Sequence, residues 1–460
     1  MSVINTIFAL CFNDIYVNLQ RNYKSTFVIV ASLFFLWGFV TVLVTLLVPR
    51  LRDVFGLSYF EAGFIQLAFF AAYFILSIPS SYLLSRVGYK CGILSGLLVM
   101  ALGCVLLYPA AAYRLLYLFW IAVFVLAGGI TLLQVVANPY ITLLGSDSGA
   151  SSRLNFAHAF NSLGTSLAPL VGAVFILSGR VLTQGEIGIM LPEDRALYFS
   201  AEATAIQFPF MVMAAISIGM SFIFSVIRLP DVIIRYKPSW SDYRHLLRNK
   251  NTVYGAVAIF LYVGVEVAIG SYLINYFIKI NTVRSILESP FMLSVVDAAV
   301  GLFAMDDIRL TDPKAIVGIF VSFYWGGAMA GRFVGALLTR ILRPTGVLSV
   351  FALAAIALIL LSINSDGLTA MWSILAVGFF NSIMFPTVFS LSMLGIDKRL
   401  RSQVSGILCT AIVGGAIIPP VFGYFADYVG FGIAFLTLIA CYVYIFFYVF
   451  LRTKSPAEEN

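Results

Sequence analysis

The sequence predicts an all-α membrane protein built as two homologous six-helix halves, and three observations carry that reading. The 460 residues are 61% hydrophobic and only 11% charged, where a soluble chain is about 45–50% apolar and about 25% charged. The apolar residues fall in continuous runs long enough to cross a bilayer, which takes about 20 residues of helix. Details of the first set of runs also recur in the second set, in the same order, at an offset of about 250 residues.

Runs of spanning length lie near 26–48, 61–84, 91–109, 115–144, 153–178 and 204–229, and again near 252–278, 314–341, 345–363, 369–394, 402–427 and 431–451. That gives about twelve helices. Two-residue alternation, the mark of a membrane β-barrel, is absent from them. The predicted organisation is an N-terminal segment 1–25 at the cytoplasmic face, a first bundle 26–229, a polar linker 230–251, a second bundle 252–451 and a tail 452–460. The first twenty residues lack the basic start and small-residue cleavage site of a signal peptide.

The repeat is visible residue by residue. Leu83-Leu84-Ser85-Arg86 matches Leu337-Leu338-Thr339-Arg340, and Pro139 with Gly145 matches Pro386 with Gly395. Gly164 and Pro169 match Gly414 and Pro419. Parallel halves of this kind mark a transporter architecture whose substrate site lies between the repeats at mid-membrane.

The net charge of +7 is an orientation signal. With the N-terminus inside, Arg21, Lys24, Arg86, Lys90, Arg153, the linker, Arg340, Arg343, Lys398, Arg399, Arg401, Arg452 and Lys454 share the cytoplasmic side, as the positive-inside rule requires. A nucleic-acid partner is not needed to explain the surplus. Cys11, Cys91, Cys104, Cys409 and Cys441 are scattered through apolar segments and read as small core hydrophobes, with no metal-ligand or disulfide spacing. No nucleophile–base set and no phosphate loop stands out, so the chain reads as a non-enzyme.

Polar groups retained inside a span face the bundle interior or a water-filled cavity. Glu266 is the mid-span acid, read either as a proton carrier or as a structurally paired group. His158 is of the residue type that titrates near neutral pH and shares a helix face with Asn161, so it is a second candidate for proton coupling or a packing residue. Gln134 and Asn138 share a face just before Pro139. Their amides suit sugar hydroxyls or interhelical bonds, and Gln66 poses the same choice. Arg332 is placed toward the cytoplasmic end of its helix, snorkelling or bracing a gate. Asp427 is read as a terminal polar residue.

The stretches LFFLWGF (33–39), FIQLAFFAAYF (64–74), LQVVANPYITLLG (133–145), SSRLN (151–155), AFNSLG (159–164), FLYVGVEVAIGSYLINY (260–276), YWGGAMAGRF (324–333) and FPTVFSL (385–391) resemble the fucose:proton symporter family of the major facilitator superfamily. Gln134 stands where the fucose carriers have a glutamate and Glu266 where they have a glutamine, as in the glucose/galactose branch. The resemblance implies alternating-access uptake of a hexose, fucose or N-acetylglucosamine across a bacterial inner membrane, with both termini cytoplasmic. It implies no cofactor beyond a coupling ion, H+ or alternatively Na+, and a chain able to act as a monomer.

By position the resemblance implies substrate binding at Gln66, Gln134, Asn138 and Asn161, with Asn275 and Asn381 in addition, and coupling at Glu266 and His158. One departure bears on coupling: the family's first helix carries Asn-Asp where this chain has Val44-Thr45. Coupling then falls to Glu266 with His158, or the chain is an uncoupled sugar facilitator. A non-transporting sensor and an exporter of another small solute are the remaining alternatives. The segment 281–312 is a further departure, read as an external insertion.

Overall fold

The computed structural model describes residues 23–55, 57, 59–175, 184–230, 236–303 and 313–452. The predicted N-terminal segment up to residue 22, Cys11 and the tail beyond residue 452 lie outside those residues. Among the described residues, ten helices are long and apolar enough to span a membrane. One run, Tyr59–Ala112, holds two helices joined at Gly88 (φ 84°, ψ 172°), a left-handed turn that glycine adopts without strain. Ala150–Phe175 is a further helix of the bundle, so the described residues are consistent with the expected twelve.

In chain order these are α1 (Tyr23–Phe55), α2 (59–87), α3 (89–112), α4 (Leu116–Leu143), α5 (Ala150–Phe175) and α6 (Pro192–Val226) in the first half. The second half holds α7 (Lys250–Lys279), α8 (Pro313–Ile341), α9 (Pro344–Ile363), α10 (Gly367–Asn381 continuing as Met384–Met393), α11 (Arg401–Thr410 and Gly414–Tyr428) and α12 (Phe431–Leu451). Part of the 281–312 insertion folds as two short helices, Thr282–Leu287 and Pro290–Phe303. Cys104, Cys409 and Cys441 are buried free thiols, whereas Cys91 is disulfide-bonded and so departs from the expected set of lone apolar thiols.

Lipid offers no hydrophobic drive between helices, so close backbone approach matters more than side-chain bulk. The glycines matched in the repeat show this. A Cβ at Gly164 of α5 would collide with the Phe35 carbonyl of α1, and one at Gly414 of α11 with the Phe260 carbonyl of α7. The same crossing is thus built twice, α1 on α5 and α7 on α11.

The halves meet through α5 against α8 and α10, and through α11 against α2 and α4. Their polar contacts gather at the end that carries Arg86, Arg153, Arg340, Lys398 and Arg401, hereafter the basic face. Ser151 and Ser390 hydroxyls are 2.7 Å apart, Ser152 donates to the Ala336 carbonyl (2.6 Å) and Asn155 to Thr387 (3.1 Å). Arg401, nearly buried, donates both Nη groups to Asp147, at 3.2 and 3.1 Å. The linker helix Trp240–Leu246 opens with a Ser239–Asp242 capping box and sets the Tyr243 hydroxyl 2.9 Å from Ser81 of α2. The seam between the halves is closed at this face.

The Arg401 hydrogen bond holds the Asp147 carboxyl below the usual carboxylate range, opposed by partial burial and helped by the Arg401, Lys398 and Arg153 charges. A carboxylate with a lowered folded-state pKa contributes stability that is complete above its unfolded value of about 3.9 and is lost as pH falls through the lowered value. The difference in melting temperature between wild type and Asp147→Asn should therefore be constant from pH 5 to 8 and shrink below about pH 4. A difference that varies between pH 5 and 8 would contradict this ion pair. Gly414→Ala should destabilise the detergent-solubilised protein by about 1–3 kcal/mol through overpacking. Gly346→Ala, where an added Cβ meets nothing within 4 Å, should leave the melting temperature unchanged or raise it slightly, since alanine is the better helix former.

Candidate functional site

Two clusters face each other across the mid-membrane seam. In the second half, Glu266 of α7 lies 3.5 Å from Arg332 Nη2 of α8, with 18% of the Glu266 and 9% of the Arg332 side chain exposed. Arg332 Nε donates to the Ser382 carbonyl of α10 (3.1 Å), and Nη1 donates to the hydroxyl of Ser162 on α5, in the opposite half. This corrects the reading of Arg332 as a snorkelling residue. It is buried and points inward, because the carboxylate and the backbone acceptors lie there. The bracing part of that reading survives, since the side chain spans the seam.

Tyr262, one turn before Glu266, adjoins its carboxylate with a buried hydroxyl. Behind this pair, Asn381 donates to the Tyr324 hydroxyl (3.1 Å) and accepts from Tyr442 (3.1 Å), tying α8, α10 and α12 together. Asn381 is thus buried and engaged with its own half.

In the first half, Gln134 Nε2 donates to the Tyr73 hydroxyl (2.8 Å), which leaves the half-buried Gln134 with its carbonyl oxygen as an acceptor. Asn138 Oδ1 lies 3.2 Å from His158 Nε2. The buried Asn138 Nδ2 has no oxygen partner among the described residues and faces the Cys409 thiol of α11. The His158 ring sits between Phe34 of α1 and Phe385 of α10, with centroids at 5.1 and 5.2 Å. Asn161 donates to the Phe34 carbonyl (3.1 Å), and Gln66 is half-buried on α2. Asn275 is exposed further along α7 and is not drawn into either cluster.

On α1, Val44 is buried and Thr45 is exposed, its hydroxyl bonded back to the Thr41 carbonyl (3.1 Å). The first-half cluster is therefore neutral amides, an imidazole and phenol, while the second half carries one acid and one guanidinium. At 3.5 Å that pair attracts by about 5 kcal/mol for an effective dielectric of ~20. Desolvation of each ion costs several kcal/mol, so the two terms nearly cancel. A pair so balanced adds little net stability.

Ser162, Tyr262, Tyr324 and Tyr442 carry no sequence signal that separates them from packing residues. Arg332 did carry one, as an ionisable group in the interior of a span.

With the geometry in hand, the family is decided by a match to the Major Facilitator Superfamily model over residues 26–412. The chain belongs to the major facilitator superfamily. As a member it is a membrane transport protein and not an enzyme. It is 43% identical over 446 residues to the glucose/galactose transporter of Brucella abortus, covering 95% of this chain and 96% of that protein. It is 32% identical over 451 residues to the L-fucose-proton symporter of Escherichia coli, covering 96% and 95%. Among solved structures, FucP in the outward conformation superposes with a TM-score of 0.80 at 30% identity, covering 95% of this chain and all of that one.

Asn381→Leu should strand the Tyr324 and Tyr442 hydroxyls and lower stability by about 1–3 kcal/mol per orphaned group. Combining it with Tyr442→Phe should be less than additive in thermal unfolding. Strict additivity would mean that the bond is not formed.

Proposed function

We propose that this superfamily member is a proton-coupled transporter of a neutral monosaccharide, working by alternating access with Glu266 as the coupling acid. The observation that carries the reading is the near full-length similarity to a glucose/galactose transporter. The site agrees in chemistry. Gln66, Gln134, Asn138 and Asn161 offer uncharged donors and acceptors to hydroxyls, and Glu266 with Arg332 adds no net charge. His158 orients Asn138 and is the second titratable group of the pathway.

Placing the basic face in the cytoplasm follows the positive-inside rule. The seam closed at that face then makes this an outward-facing state, with both termini inside and the bilayer the inner membrane of a bacterial cell. The division into bundles 26–229 and 252–451 about the linker 230–251 belongs to the same proposal. The monomer is the working unit, since both clusters come from one chain. The second reading, an uncoupled facilitator, is favoured by Val44 and Thr45, which leave the spanning stretch Thr26–Val48 of α1 without an acid.

The test is uptake of labelled glucose, galactose, fucose and N-acetylglucosamine into proteoliposomes, with and without an inward proton gradient and beside a sodium-gradient control. Symport of one proton per sugar should accumulate substrate ~10-fold per pH unit, and Glu266→Gln should reduce this to equilibration. Equilibration indifferent to both gradients, and retained in Glu266→Gln, would establish the facilitator instead.

A further inference from the structure

Two of the carbonyls that prolines free in this bundle frame the inference. In a helix the Val135 carbonyl would accept from residue 139 and the Ser382 carbonyl from residue 386. Both are prolines, which have no N–H. Freed backbone groups in a membrane are satisfied by neighbouring helices and polar side chains. Ser405 of α11 donates to the Val135 carbonyl across the seam (2.8 Å), and Arg332 Nε donates to the Ser382 carbonyl within its own half (3.1 Å). The guanidinium is therefore fixed to the second half by its Nε. Its two Nη groups are left to divide between Glu266 and Ser162 of the first half.

We infer that Arg332 is a positioning residue that transmits the charge of Glu266 to the seam through Ser162, so that neutralising Glu266 releases the closed basic face. The inference rests on the proposed role of Glu266 and adds the route from that acid to the conformational change. While Glu266 is ionised, the buried guanidinium is compensated and the seam can remain dry. When Glu266 takes up a proton, Arg332 keeps its charge, because a guanidinium stays protonated, and a buried cation without its counterion costs several kcal/mol. Neither remaining contact, a carbonyl and a hydroxyl, supplies negative charge. Parting α5 from α8 breaks the Ser162 bond and lets water reach the guanidinium.

Tyr262 on α7, Tyr324 on α8 and Tyr442 on α12 adjoin Glu266 as phenols. His158 on α5 is the titratable group that faces Arg332 from the first half. From α11 the contact beside Gly264 is the apolar Ile418.

Cys409 is a native reporter. It is fully buried on α11 against Asn138 of α4, so opening of the basic face exposes it. The experiment places the full-length chain, with the free Cys104 and Cys441 replaced by serine and the disulfide of Cys91 left intact, in proteoliposomes. It measures maleimide modification of Cys409 from pH 5.5 to 8, normalised at each pH to the unfolded protein. Normalised labelling should rise as pH falls in this parent. Glu266→Gln should raise it about fivefold or more at pH 8 and abolish its pH dependence. Ser162→Ala should raise labelling at pH 8 and flatten the profile. Arg332→Lys, which keeps the charge without the fork, should behave like Ser162→Ala.

Labelling in Glu266→Gln equal to the parent, or a full pH profile in Ser162→Ala, overturns the inference. A flat profile in Glu266→Gln but an unaltered one in His158→Gln assigns the titration to Glu266, whereas the reverse pattern overturns that assignment. Because labelling needs no sugar gradient, the two readings separate. Gradient-indifferent uptake with Glu266-dependent labelling removes proton symport and keeps the Arg332 route. Coupled uptake with labelling indifferent to Glu266 and Ser162 does the opposite.

Discussion

The organising constraint of this bundle is that a backbone carbonyl freed inside hydrocarbon must find a donor, since no lipid supplies one. Pro139 and Pro386 are matched in the internal repeat and free equivalent carbonyls in α4 and α10. The two halves answer differently. In the first half the donor is Ser405 from across the seam, so the bond exists only while α4 and α11 are together. In the second half it is Arg332 from the same half, so the bond persists whatever the halves do. One proline thus contributes to closing the molecule and the other to anchoring a charge. Repeats that begin alike become unlike through the partner each orphan finds.

That anchored charge explains why the acid is tolerated where it is. An isolated carboxylate at mid-membrane is disfavoured, and so is an isolated guanidinium. Together they reach rough balance, with Coulomb attraction of about 5 kcal/mol at an effective dielectric of ~20 against desolvation of similar size. The Asp147–Arg401 pair differs in kind. It is bidentate and sits at the rim of the bundle with Asp147 39% exposed, so water screens it. Its titration lies below the physiological range. The rim pair is a constant in the working range, and the interior pair is the one to which the proposed mechanism assigns the change of charge.

Much of this was legible in the sequence, and what was not has a common cause. The spans and the repeat were readable because lipid demands apolar runs of fixed length, and because close crossings demand glycine. Gly164 and Gly414 meet equivalent carbonyls, as their matched positions implied. Glu266 was readable because an acid in a span is rare. Arg332 was seen but misplaced, since its distance from the helix end suggested snorkelling and nothing in one helix shows that Glu266 and Ser382 face it. Tyr324 and Tyr442 could not be told from packing aromatics, because their hydroxyl partner, Asn381, comes from a third helix. Asn275 carried the same amide as Asn161, yet lies exposed on α7. Residue type is written in one helix, whereas partnership is a property of several.

The division of labour between the halves bears on how a neutral ligand could matter to a charged switch. The first half offers amides held by Tyr73, His158 and the Phe34 carbonyl, which can exchange hydrogen bonds with hydroxyls without any change of charge. The second half holds the only acid–base pair at that depth among the described residues. Neither alone links solute to proton. A polyhydroxylated ligand touching both clusters displaces water from around Glu266 while presenting hydroxyls to the amides, so its presence alters the solvation on which the balance of the ion pair depends. With Val44 and Thr45 leaving the spanning stretch Thr26–Val48 of α1 uncharged, that dependence falls on a single pair in the proposed mechanism. With Glu266 as the proposed coupling acid, coupling follows from how much water the ligand leaves beside Glu266 and Arg332.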